Sequence, residues 1–344
     1  MNGDTSILIV YTGGTIGMMH DPETGALQPL NFKELLNVMP DLKRFGFHLS
    51  SIAFEPAVDS ANINPEFWVK LASIIEENYE KYDGFVILHG TDTMAYSASA
   101  LSFMLENLQK PVVFTGSQLP IGLLRTDGKE NLVTSIEIAA EKRNDMPMVP
   151  EVCIYFENKL FRGNRTSKYS AEHFNAFRSV NYPALAEAGI HIKFNYPAIQ
   201  YPTVARPLKV HKILDNNIAI LKLFPGISLG LLDAILTAPK LQAIVLETFG
   251  SGNAPVAEWF ISRIKKAVDD GLVIVNVSQC FGGTVEMGMY ETSVALRNCG
   301  VISGYDSTTE AALAKLMFLL GKCLNREQLR DALNKSLRGE ITIN

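Results

Sequence analysis

Cysteine is scarce in this chain. The 344 residues hold four, Cys153, Cys280, Cys299 and Cys323, far apart and without a C-x-x-C pair. That spacing excludes a disulfide framework or a cysteine zinc site and points to a reducing compartment. Long apolar runs are missing too: no stretch approaches the ~20 residues that a membrane span needs. No basic stripe is present. Lys and Arg number 31 against 36 Asp and Glu, a net charge of -5, so nucleic acid is not expected as a partner. The six histidines (20, 48, 89, 173, 191 and 211) show no metal-ligand spacing. No Lys or Arg precedes the first apolar run, 7–11, which leads straight into Gly13-Gly14. That run reads as a core strand rather than a secretory leader. The expectation is a cytoplasmic protein without metal or membrane.

What is present is ordinary globular composition, 47% hydrophobic and 19% charged, at a length that favours two domains. Apolar runs at 7–11, 85–88, 112–115 and 152–156 predict strands. Asn64-Pro65 predicts the start of a helix over 66–79, because Asn caps well and Pro suits the first helical position. Helices are also expected over 93–108 and 128–142. The alternation implies a mostly parallel sheet flanked by helices. Between 189 and 209, Pro197, Pro202 and Pro207 fall close together and read as a linker. Beyond it, strands at 218–224, 243–247 and 273–277 alternate with helices at 228–237, 255–269, 307–320 and 325–336. The chain is thus α/β, with a larger N-terminal domain over 1–188 and a smaller C-terminal one over 210–344.

Two segments carry hydroxyls at strand ends: Thr12-Gly13-Gly14-Thr15-Ile16-Gly17 and His89-Gly90-Thr91-Asp92-Thr93-Met94. Open α/β sheets place their sites at the carboxyl ends of strands. The glycine spacing fits neither dinucleotide nor P-loop patterns. Alone, Thr15 reads as a cap in a tight turn. Paired with the second segment, it reads as a nucleophile with an activating partner. Asp92 fits a helix N-cap and also a group that holds an ammonium or orients a lysine. His89 fits a hydrogen-bonded strand-end residue as well as a site residue. Segment 161–168 reads as a solvated basic turn by itself, or as a site element in which Lys168 acts as a base. Gly226-Ile227-Ser228-Leu229-Gly230 matches a nucleophile elbow, but every histidine lies upstream of Ser228, against the chain order of that fold. Ser228 is therefore expected to cap a helix.

Taken together, the motifs resemble the bacterial-type L-asparaginase family, nearly end to end. They read Tyr11-Thr12-Gly13-Gly14-Thr15-Ile16-Gly17, Asp59-Ser60, His89-Gly90-Thr91-Asp92-Thr93-Met94 and Thr115-Gly116-Ser117-Gln118. Then come Arg125-Thr126-Asp127-Gly128 with Asn131, Arg162-Gly163-Asn164-Arg165 with Lys168, Gly250-Ser251-Gly252-Asn253-Ala254-Pro255 and Thr309-Glu310-Ala311. The wording around Thr15 is most similar to the cytoplasmic type I branch. The resemblance implies hydrolysis of L-asparagine to L-aspartate and ammonia without a cofactor, by a homodimer or homotetramer. It implies Thr15 as nucleophile, Thr91, Asp92 and Lys168 as the supporting triad, and Asp59, Ser60, Thr91 and Asp92 as substrate-binding residues. Backbone N–H groups near Gly14 and Thr91 are placed to receive the negative charge of the attacked carbonyl. Two departures stand out. The loop His20–Leu27 lacks the Tyr that many members carry, and Ala61 replaces the Gln that follows the binding Ser in periplasmic members. Competing readings are an ammonia-supplying amidotransferase subunit and a catalytically lapsed amino-acid-binding homologue.

Overall fold

The computed structural model describes residues 5–20, 27–29, 39–46, 48–288 and 291–343. The chain divides into two compact units, 1–212 and 213–344.

The first unit is built on an eight-stranded sheet. Its strands are β1 (Ser6–Tyr11), β2 (His48–Ala53), β3 (Gly84–Leu88), β4 (Val112–Thr115), β5 (Val152–Phe156), β6 (Lys159–Arg162), β7 (Ala186–Ala188) and β8 (Ile192–Phe194). The order across the sheet is β8-β7-β6-β5-β4-β3-β1-β2. Strands β2, β1, β3, β4 and β5 are parallel, and β6, β7 and β8 extend the sheet antiparallel. The central strands are buried along their length, as strands covered on both faces must be, and so read as unbroken apolar runs. Strand β2 is half-exposed at the edge and carries two serines. That mixed pattern hides it from an apolar-run reading. The β5–β6 hairpin turns at Glu157 and Asn158, both at positive φ. Such turns match the strand twist, but Glu-Asn is a weak sequence signal for one.

Helix α1 (Pro65–Asn78) starts as expected: the Asn64 side chain accepts from Phe67 N at 3.0 Å. It buries Phe67, Trp68, Leu71, Ala72 and Ile75, one face of a 3.6-residue period. Helix α2 (Met94–Met104) ends four residues earlier than expected, because Leu105–Glu106 pairs with Lys209–Val210. Helix α3 (Gly128–Ala140) gives way to a short hairpin at Lys142–Arg143. Within 189–209, residues Ile192–Phe194 form the edge strand β8.

The second unit has four parallel strands in sequence order: β9 (Ile218–Lys222), β10 (Ala243–Thr248), β11 (Val273–Ser278) and β12 (Ile302–Ser303). Its helices are α4 (Leu229–Leu236), α5 (Glu258–Asp269), α6 (Glu291–Asn298), α7 (Thr309–Leu320) and α8 (Arg326–Leu333). Ser228 caps α4, accepting from Leu231 N at 3.2 Å. Asn325 and Gln328 form a capping box on α8.

Candidate active site

The strand order of the first unit reverses at β1. The chain runs from β1 to β2 on one side, then to β3 on the other. Such a switch point opens a crevice at the carboxyl ends of the two strands. The register makes those ends level: Tyr11 stands beside both Ala53 and Leu88, and Leu88 beside Thr115. The loops after β2, β1, β3 and β4 therefore emerge together.

Backbone contacts weld them. Thr12 donates to the Leu88 carbonyl twice, from N at 3.0 Å and Oγ1 at 2.9 Å, and Val58 N donates to Thr12 O at 2.8 Å. Gly14 lies at φ +87, and a Cβ there would stand 2.5 Å from Gly90 Cα. A Cβ on Gly90 would in turn stand 2.5 Å from Ser60 Oγ. Thr93 Oγ1 donates to Ser60 O at 2.7 Å. Glycine on glycine on serine brings three loops into one place, so the residues next in line, Thr15 and Thr91, flank the same crevice with Ser60. Thr15 opens a 3-10 turn, Thr15–Gly17, whose N-cap is Gly14 and not Thr15. Its reading as a cap is thereby corrected.

Lys168 completes the group. Its Nζ donates to Thr91 Oγ1 at 2.8 Å and to Asp92 Oδ1 at 2.7 Å. Asp92 is two-thirds exposed, so the pair adds little to stability and its consequence is positional. The N-cap of α2 is Thr93, without a side-chain cap bond because its hydroxyl goes to Ser60 O, while Asp92 is turned to the lysine. That corrects the capping reading of Asp92. With Lys168 donating, the Thr91 hydroxyl sends its own proton to Gln118 Oε1 at 3.4 Å. Gln118 is oriented by His173 O, which accepts from Nε2 at 3.1 Å, and by the Asp127 carboxylate, which accepts from the Gln118 N–H at 2.9 Å. Asp59 is exposed, and its Oδ1 accepts from Ala61 N at 2.9 Å. Ser60 is buried.

The lysine arrives on an anchored strap. Arg162 is 2% exposed and donates to Glu151 through Nε at 2.6 Å and Nη2 at 3.1 Å, with a further bond to Ala198 O at 2.9 Å. Gly163 lies against α2, where a Cβ would stand 2.9 Å from Ala98 Cβ. From there the chain climbs along α2 to Lys168. Residues 161–166 are buried, so the solvated-turn reading is corrected: two arginine heads are paired or stacked on Tyr182. Sequence reasoning had no signal for Glu151, whose partner lies across a hairpin.

His89 is fully buried, and burial lowers its pKa to about 4. It is a strand-end hydrogen-bonding residue, with the Gly90 carbonyl 2.7 Å from Nδ1. Among the described residues no cluster of three His, Cys, Asp or Glu is arranged to hold a metal ion, and no helix is long and apolar enough to cross a membrane. Residues 21–26 of the loop that lacks the Tyr lie outside the described residues.

The family model described as "Asparaginase, N-terminal" matches residues 6–200, and "Glutaminase/Asparaginase C-terminal domain" matches 217–333. L-asparaginase 1 of Escherichia coli strain K12 is 45% identical over 348 residues, covering 98% of each chain. The 60 kDa lysophospholipase of Mus musculus is 39% identical across the whole of this chain and 64% of its own length. The crystal structure of L-asparaginase I from Vibrio cholerae superposes with a TM-score of 0.89 at 42% identity, covering 99% of this chain and 100% of that one. Two domain models matched in order and relatives similar across nearly the whole of this chain lead to one conclusion: the chain belongs to the asparaginase family.

Proposed function

We propose that the chain hydrolyses L-asparagine to L-aspartate and ammonia through a threonyl ester. The observation that carries this reading is Lys168 Nζ within 2.8 Å of Thr91 Oγ1 and 2.7 Å of Asp92 Oδ1, beside the crevice that Thr15 borders. Thr15 Oγ1 attacks the side-chain amide carbon and gives up its proton. Negative charge gathers on the carbonyl oxygen and is met by backbone N–H groups. The C–N bond breaks, the nitrogen takes the proton that Thr15 gave up, and ammonia leaves. Water attacks the ester carbon, its proton passes to Thr91 Oγ1 as the Thr91 hydroxyl turns its own proton from Gln118 to Lys168 Nζ, the C–O bond to Thr15 breaks, and Thr15 Oγ1 takes a proton back as L-aspartate is released. Splitting the reaction into two acyl transfers replaces one hard step with two easier ones.

Asp59 and Asp92 suit the α-ammonium of the substrate, and Ser60 its α-carboxylate. These handles lie away from the reacting carbon and position it. The mechanism uses no cofactor. We further place the protein in the cytoplasm as a homodimer or homotetramer, the assembly and location of the branch it resembles. The lysine held on Thr91 and Asp92 argues against the lapsed-homologue reading, since a chain without catalysis has no need of that strap.

Ammonia release from L-asparagine and L-glutamine over a wide concentration range tests the proposal. Thr15→Ala and Thr91→Ala are each expected to lose turnover by roughly 10³-fold or more. Normal turnover by a folded Thr15→Ala variant overturns it.

A further inference from the structure

A buried chain of side chains runs beneath the site, and the mechanism above uses none of it. Trp68 Nε1 donates to Ser97 Oγ at 2.9 Å, Ser97 Oγ lies 2.9 Å from His89 Nε2, and His89 Nδ1 lies 2.7 Å from the Gly90 carbonyl. The directions are forced. An indole nitrogen only donates and a carbonyl only accepts. His89 therefore carries its proton on Nδ1 and donates to Gly90, while Ser97 donates to Nε2. The imidazole is fully buried and held edge-on by Phe67 and Phe114, each with ring centroids 5.7 Å away. Burial keeps it neutral, with a pKa of about 4.

What the chain holds is the Gly90–Thr91 peptide. Gly14 and Ser60 crowd Gly90 so closely that no Cβ fits, so no side chain at that position can set the peptide's orientation. Glycine is also the residue with the most backbone freedom to lose. In a trans peptide, a carbonyl and the following N–H point in opposite directions. The Gly90 carbonyl is turned inward to His89. The Thr91 N–H is therefore turned outward, and among the described residues it has no hydrogen-bond partner.

We infer that Trp68, Ser97 and His89 are positioning residues that aim the Thr91 N–H at the substrate's amide oxygen. There it meets the negative charge that develops in the tetrahedral intermediate. The inference rests on the reading of Thr15 as nucleophile, and it deepens that reading by naming what orients one oxyanion donor.

Two variants with different reach test it. His89→Asn places an amide N–H near the position of Nδ1, where it can donate to Gly90. His89→Gln reaches only the position of Nε2 and leaves the Gly90 carbonyl without its donor. Thermal melts establish that both fold, and kcat and KM for L-asparagine are then measured. His89→Asn is expected to keep kcat within about threefold. His89→Gln is expected to lose at least about tenfold, since removing an oxyanion donor outright costs about 10²–10³. KM stays within about threefold in both, because the charge exists only in the transition state. Equal kcat in both variants, or a change confined to KM, overturns the inference. Should His89→Gln not fold, Ser97→Ala serves instead: it frees the imidazole to move its proton to Nε2. A several-fold loss of kcat at constant KM supports the inference, and unchanged kcat overturns it. No turnover by the unaltered chain overturns the functional reading and this inference with it. Normal turnover by the unaltered chain alongside an unimpaired His89→Gln overturns the inference alone.

Discussion

The carboxyl ends of the parallel strands in the two units are built differently. In the first unit the strand order reverses between β2-β1 and β3, and the loops there meet backbone to backbone through Gly14 and Gly90. In the second unit β9 to β12 follow one another without reversal. Its strand ends are stitched by polar side chains. Thr248 Oγ1 donates to Asn276 Oδ1 at 2.6 Å, Gln279 Nε2 donates to Leu223 O and Glu247 O at 2.6 and 2.9 Å, and Ser278 Oγ donates to Gly250 O at 2.6 Å. A hydroxyl at a strand end thus borders the crevice at Thr15 and Thr91, or is spent on the sheet itself, as at Thr248 and Ser278 and, in the first unit, at Thr12 and Thr115. The connection order decides where the crevice opens, because it opens where successive crossovers leave in opposite directions.

The largest expected effect tests the open side of that contrast. Lys168→Met should lower kcat by about 10²–10⁴, the range of a positioned acid–base group. Stability should change by less than about 1 kcal/mol, since the ion pair is largely exposed on the Asp92 side. Steady-state kinetics with a urea melt check both. A large loss of stability with kcat retained would make the strap structural.

Two glycines with nearly equal φ sharpen the contrast. Gly14 lies at +87 against Gly90, while Gly226 lies at +91 with nothing within 4 Å of a built Cβ. Backbone strain is common to both, about 1–3 kcal/mol, and overpacking adds about 1–3 kcal/mol at Gly14 alone. Gly14→Ala should therefore cost roughly 2–6 kcal/mol and most of the activity. Gly226→Ala should cost only the strain and leave kcat unaltered. Equal losses in chemical denaturation would break the comparison.

Acid sensitivity comes next. The folded pKa of His89, about 4, lies below the 6.5 of an unfolded histidine. The unfolded chain takes up the proton first as pH falls. This contribution is therefore fully present above pH 6.5 and is lost between 6.5 and about 4, a gap worth about 3 kcal/mol. Melts at pH 7, 5.5 and 4 should show the slope, and His89→Asn should remove it. The smallest effect belongs to the second unit's elbow-like segment. Ser228→Ala should cost about 1 kcal/mol, the worth of a helix N-cap, with turnover within twofold. A collapse of activity would restore Ser228 as a catalytic candidate.

Much of this architecture is written locally. The runs at 7–11, 85–88, 112–115 and 152–156 fall on β1, β3, β4 and β5, because strands buried on both faces admit only apolar residues. Asn64, Ser228 and Asn325 cap the helices they precede, because a side-chain oxygen there satisfies an orphan N–H within three residues. The strands that escaped reading, β2, β6 to β8 and β12, are short or at edges, where half-polar patterns resemble loops.

Sequence alone therefore placed the candidate hydroxyls at strand ends and identified residue types that can act on an amide. It could not say that Gly14 would rest on Gly90 or which of its two readings Asp92 would take, and the grouping of Lys168 with Thr91 and Asp92 came only from the family resemblance. Those facts depend on strand order and on a buried Arg162–Glu151 pair that anchors the strap. Local chemistry is legible because its partners lie within one turn of chain. The site's geometry is not, because residues more than seventy positions apart meet there only after the sheet has chosen its order.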